Sequence, residues 1–291
     1  MKFRHTRISL CSGICCLLLA AFARGKDIIL IPPPESGLDQ RYQYSELLLQ
    51  QVLDRTEPQF GKAEIRHSLA MQRDRILIEL KRGELIQVAD APSRPDFEQQ
   101  LLPVRIPLRK GILGYRLLLI NAKDQAQFSK ITRIEELKVL RAALGKQWAI
   151  TPVFQSNGFK VTQEIKYDNL FRLLGMKEAD YFPRGVNEIF DEFETRKKQI
   201  PDLAIEKTLA LYVPLPTYFF VSPAKPALAE RIRLGLEAML RDGSFDKLFN
   251  EYHQDLLQKA NLSGRRIFYL DNPGLPAQTP LQRRELWLDK P

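Results

Sequence analysis

Apolar side chains recur at two spacings that take turns along the chain. A short apolar run at 28–31 is halted by Pro32-Pro33-Pro34, which cannot continue a ladder of hydrogen bonds. Residues 44–55 follow with Leu47, Leu48, Val52 and Leu53 at helical spacing. A strand is predicted near 63–69, a helix from about 72 to 80 that stops at Gly83, and a strand near 85–89. Such a β-α-β-α-β order predicts a parallel sheet, because parallel neighbours need crossover connections and helices on the faces supply them.

The alternation begins again further on, with strands predicted at 114–120, 161–165, 179–183 and 203–213. Between them lie helices at 167–174, closed by Gly175, and at 186–198, where Ile189, Phe190 and Phe193 share a face. A strand at 217–221 opens a third stretch and leads into a helix at 225–241 carrying Leu228, Ile232, Leu236, Met239 and Leu240. After Gly243 comes another, with Phe245, Leu248, Phe249, Tyr252 and Leu256 at i, i+3, i+4, i+7 and i+11. The tail reads as extended from Asn272-Pro273-Gly274, with Leu286, Trp287 and Leu288 available to clip the end onto the body.

Composition narrows the class. With 44% hydrophobic and 27% charged residues among 291, the chain is an ordinary globular one. Its three cysteines are Cys11, Cys15 and Cys16, so no disulfide framework or cysteine zinc site is expected beyond them. Lys2, Arg4 and Arg7 precede an apolar run at 8–22 that ends in Ala21-Phe22-Ala23, the layout of a cleaved signal peptide over 1–23. The run is short for a membrane span, which takes about 18 apolar residues or more. The mature protein is therefore expected to start near Arg24 and to be periplasmic.

The 44 basic and 35 acidic residues are scattered, which argues against nucleic acid as a partner. Beyond the leader only His67 and His253 remain, far apart, and no nucleophile elbow, dinucleotide turn or phosphate loop occurs. Asp191, Glu192 and Glu194 read as a solvated helix face. No catalytic residue, metal ligand or cofactor is assigned.

Several runs together resemble the extracellular solute-binding proteins of the amino-acid type: Leu-Pro-Val-Arg-Ile-Pro at 102–107, Gly-Ile-Leu-Gly-Tyr-Arg at 111–116, Asp-Tyr-Phe-Pro-Arg-Gly-Val-Asn-Glu at 180–188, Pro-Thr-Tyr-Phe-Phe-Val at 216–221, and Asp-Gly-Ser-Phe at 242–245 with Leu248-Phe249. The resemblance implies the α/β, two-lobed type II periplasmic-binding fold, each lobe a mostly parallel sheet flanked by helices, joined by two hinge strands. Lobe I would take 24–115 and 216–270, lobe II 116–215, and 271–291 would be an extension packed on lobe I. It also implies a monomer that captures a small polar ligand, amino-acid-like or another small carboxylate, for the permease of an ABC importer or for a membrane sensor. The alternatives are a dehydratase-like enzyme on the same fold and a scaffold that no longer binds.

Ligands of open α/β sheets bind beyond the carboxyl ends of strands, and that rule selects the candidate residues. Arg184, Gly185 and Asn187 sit between a strand and a helix N-terminus, an anion-favouring corner where a guanidinium forks onto a carboxylate. Trp148 and Thr151 occupy a second strand-to-helix turn, which the resemblance implies lines the lobe II side of the cleft. Tyr44, Ser93 and Arg94 follow strands of lobe I. The amino-acid binders carry an arginine slightly beyond this last loop, where this chain has Phe97 and Glu98, so Arg94 is the substitute to consider.

Overall fold

The computed structural model describes residues 26–34, 42–69, 71 and 73–289; the signal-peptide segment 1–23, its three cysteines and the expected start at Arg24 lie outside the described residues. Twelve strands follow in chain order: β1 (Asp27–Ile31), β2 (Ala63–His67), β3 (Val88–Pro92), β4 (Leu102–Val104), β5 (Tyr115–Asn121), β6 (Arg141–Gly145), β7 (Lys160–Glu164), β8 (Tyr181–Gly185), β9 (Leu203–Ile205), β10 (Leu209–Tyr212), β11 (Thr217–Val221) and β12 (Arg266–Tyr269).

They divide between two lobes. In the first, β1 pairs with β2, and β11 lies between β3 and β4. The Gln43–Arg55 and Pro226–Arg241 helices cover them, burying Leu48, Val52, Ile232 and Leu236. Of the residues expected inward on the first helix, Leu47 is exposed and Leu49 takes its place, because the stripe rotates with the 3.6-residue turn. The second lobe is a seven-stranded sheet in the order β12-β10-β5-β8-β6-β7, with β9 beside β5. Apolar residues cover both of its faces.

Neither lobe's sheet is parallel throughout. β11 runs antiparallel to β3 and β4, and β5 runs antiparallel to β8, β9 and β10. The reason is topological: β5 and β11 are the strands through which the chain enters each lobe from the hinge, so they run outward while their neighbours run back toward it. Thr217 pairs with Pro92, and Arg116 with Gly185, which sets the carboxyl ends of β3 and β8 at the hinge. The carboxyl ends of the parallel strands in the two lobes therefore face one another.

Two crossings, 105–114 and 213–216, run against each other. Val213 N–H donates to Gly114 O at 3.1 Å, and a Cβ on Gly114 would lie 2.2 Å from Val213 O, so glycine is what permits the contact. The strand expected over 203–213 is broken in two. Glu206, fully buried, folds back to accept hydrogen bonds from the Thr208 and Leu209 amides and the Thr208 hydroxyl, a side-chain alternative to the ladder. The boundary at 270 also shifts. In the Ser244–Ala260 helix, Phe245 and Leu248 belong to the first core while Ala260 packs in the second, and β12 pairs with β10 in lobe II rather than returning to lobe I.

Candidate functional site

On the first lobe the carboxyl end of β1 and the first half of β3 border a small hollow of about 30 Å³, lined by Pro32, Tyr42, Ser45, Glu46 and Asp90 over apolar Leu49 and Phe219. Arg109, almost fully buried, underlies it. Its Nη1 donates to Asp90 at 3.2 Å and its Nη2 to Ser45 Oγ at 3.4 Å, and its guanidinium stands 5.3 Å from the Tyr44 ring. Tyr44 itself turns inward, 4.5 Å from His253 and 5.3 Å from Tyr252 between ring centres. Burial, only partly offset by Arg109, pushes its hydroxyl pKa above the ordinary tyrosine value. Ser45, one position on, is the residue that reaches the hollow.

Ser93 and Arg94 leave the end of β3. The Ser93 hydroxyl is buried and donates to Glu98 at 2.7 Å, and Arg105 holds the other Glu98 oxygen at 2.7 Å. Glu98, standing near where the amino-acid binders have a cation, is thus neutralised from within. Arg94 forks onto Asp96 through Nε and Nη2, both at 2.5 Å, while Nη1 donates across the lobe boundary to Gln147 O at 3.2 Å. Arg94 and the Gly145–Thr151 turn therefore meet where the two sets of strand ends face each other.

In that turn Thr151 is buried and its hydroxyl donates to Gly145 O at 2.7 Å. Trp148 closes over Gly145 and stacks on Phe182 with ring centres 5.9 Å apart and planes 20° from parallel. Above it lies Arg184, 1% exposed, with Nε and Nη2 each 2.5 Å from a Glu192 oxygen. Glu188 is 3.2 Å away, and the guanidinium stands 4.6 Å from the Trp148 ring centre and 4.9 Å from that of Phe182. Burial opposes the Arg184 charge, but Glu188 and Glu192 outweigh it and hold the pKa above the ordinary arginine value.

Glu188 also accepts from the Gly185 amide at 2.9 Å and pairs with Arg116 at 3.4 Å. Burial, partly countered by Glu188, lowers the Arg116 pKa to about 10. Asn187 Oδ1 is buried without a hydrogen-bond partner. The corner expected to favour anions thus sets two arginines against two glutamates. Its Arg184 fork is closed on Glu192, which is buried rather than on the solvated face expected for it.

Sequence reasoning missed Glu192, Arg109 and Asp90. Glu192 is buried with Val186 and Ile189 on one face of the Val186–Arg196 helix, and that face turns it toward Arg184 near the end of β8. Arg109 had a weaker signal, an arginine in the crossing four positions after Arg105. Among the described residues no group of three or more His, Cys, Asp or Glu is placed to hold a metal ion, and no helix is long and apolar enough to cross a membrane.

The sequence matches no family model and no curated protein. Solved structures do match. An ancestral arginine-binding protein bound to arginine is 16% identical over 79% of this chain and 99% of its own, with a TM-score of 0.54. A periplasmic binding protein of an arginine transport system from Legionella pneumophila is 15% identical over 78% of this chain and 99% of its own, at 0.57. A histidine kinase sensor domain with similarity to periplasmic binding proteins is 14% identical over 78% and 95%, at 0.53. The fold is the two-lobed one of the periplasmic binding proteins.

Proposed function

We propose that this chain is an exported solute-binding protein that takes a small polar ligand between its lobes, an amino-acid-like molecule or another small carboxylate, and passes it to an ABC importer or a membrane sensor. It works as a monomer and carries out no chemistry on the ligand. The observation that supports this most is the 3.2 Å contact from Arg94 Nη1 to Gln147 O, which joins the lobes where both sets of strand ends converge. That is the position at which an open α/β sheet receives ligand.

Arg94 is the anion grip in this reading. Asp96 fixes two of its nitrogens and leaves Nη1 directed at the other lobe, where a ligand oxygen replaces the Gln147 carbonyl. Arg184, expected from sequence to do this work, serves beneath it. Locked to Glu192 and stacked on Trp148, it stiffens the second wall, with Gly185, Asn187 and Thr151 shaping the turns around it. Ser45 and Asp90, in the first-lobe hollow, face the ligand's polar remainder, and Ser93 holds the loop that carries Arg94. Tyr44 supports Ser45 from behind.

The test is a melting-temperature screen of the full chain against amino acids, small peptides, organic acids and polyamines. A ligand at 100 times its dissociation constant stabilises by about 2.7 kcal/mol, a rise of roughly 5–10 °C for a chain of this size. A library that leaves the melting temperature unmoved would contradict the proposal and favour a scaffold that no longer binds.

A further inference from the structure

We propose that residues 270–289 form a strap across the hinge that limits how far the lobes open. Two lobes joined by two crossings pivot about a few hinge residues, and here the chain crosses twice more. It passes from the Ser244–Ala260 helix into β12 in lobe II, and from β12 back onto lobe I.

The strap is anchored at both ends and at both crossings. Leu270 is buried in the lobe II core, and its amide donates to Tyr212 O at 2.8 Å. Asn157, at the end of a lobe II helix, donates to Asp271 O at 2.8 Å. Asn272 Nδ2 then donates to Pro214 O at 2.8 Å, fastening the strap to the second crossing.

At the far end Arg283 forks onto Glu237 of the Pro226–Arg241 helix, at 2.7 and 3.1 Å. Leu286 is fully buried in the lobe I core. Trp287 donates from Nε1 to Pro280 O at 2.9 Å and lies on the first crossing. There Gly111 has φ +72°, and a Cβ would come 2.6 Å from the indole, so only glycine lets crossing and ring meet. The Leu288 amide donates to Lys110 O at 2.8 Å.

Opening the lobes separates Leu270 from Leu286 or tears one of them from a core. Stripping a buried leucine from its packing costs more than breaking a single hydrogen bond across the cleft. The strap, rather than the cleft contacts, is the stronger limit on the open state.

The experiment measures the distance between spin labels at Lys62→Cys in lobe I and Lys160→Cys in lobe II, both exposed, with Cys11, Cys15 and Cys16 changed to serine and no ligand present. Ten Gly/Ser residues inserted between Ala277 and Gln278, which are exposed, keep every anchor but add a coil of roughly 15–20 Å root-mean-square span. The proposal expects a narrow distance distribution in the parent and a new longer-distance component in the slackened protein, reproduced by Trp287→Ala. Identical distributions for the parent and the slackened protein, with melting temperatures unchanged, would overturn it. Because no ligand is used, that failure is separate from failure of the binding proposal.

Discussion

Arg94 and His253 illustrate how much a single side chain decides here. With Arg94→Ala, the cleft loses the cation that reaches from the β3 end toward Gln147 O. A charge-assisted contact broken on one side costs about 2–5 kcal/mol, so calorimetric titration with any stabilising carboxylate should show affinity falling by more than tenfold while the melting temperature of the free protein barely moves. His253 makes a different prediction. It is buried among Tyr44, Phe249 and Tyr252 with both ring nitrogens unpartnered, and burial, helped by Arg109, lowers its pKa to about 3 from 6.5. The unfolded chain therefore binds a proton below pH 6.5 that the folded chain refuses until about pH 3. This residue's contribution erodes stability as pH falls through that window, by up to about 1.4 kcal/mol per pH unit. His253→Phe keeps the aromatic packing and removes the titration, so the drop in melting temperature between pH 7 and pH 4.5 should be smaller than in the parent; an equal drop would assign the acid sensitivity elsewhere.

The helix Val186–Arg196 and strand β8 form the element whose role the structure changes most. Glu192→Ala leaves Arg184 charged, buried and without its fork partner, a defect worth about 3–5 kcal/mol, whereas replacing both with apolar residues of similar volume is typically neutral or stabilising. Melting curves of Glu192→Ala and of Arg184→Met/Glu192→Leu should therefore fall on opposite sides of a large gap. An affinity change in the double variant as large as that of Arg94→Ala would return Arg184 to direct ligand contact. Local pattern made this helix legible in advance, since Ile189, Phe190 and Phe193 share one face at its period. It did not reveal the Arg184–Glu192 pair, because an acid beside an apolar stripe has the same sequence signature whether the tertiary fold covers it or leaves it wet. The same limit applied to 203–213, an apolar run that periodicity reads as one strand, where only the buried Glu206 turn divides β9 from β10. β12 was placed with the wrong lobe for a related reason: strand pairing is nonlocal, and nothing within Arg266–Tyr269 names β10 as its neighbour.

At the scale of the whole molecule, two lobes present the carboxyl ends of their parallel strands to one another, and Arg94 and Gln147 touch across the gap. The two-lobe division was legible because α/β alternation lapses and restarts along the sequence. The chemistry of the gap was less so, since it depends on which charges neutralise each other: Arg184 with Glu192, Glu98 with Arg105, Arg109 with Asp90. Hydrogen–deuterium exchange of the full chain, with and without the compound that raises the melting temperature most, tests most directly whether ligand sits between the lobes. The account predicts slowed exchange in 88–94 and 145–151 together, one segment from each lobe, with little change on the outer helices. Slowing confined to one lobe, or absent from both segments while the compound still binds, would contradict it.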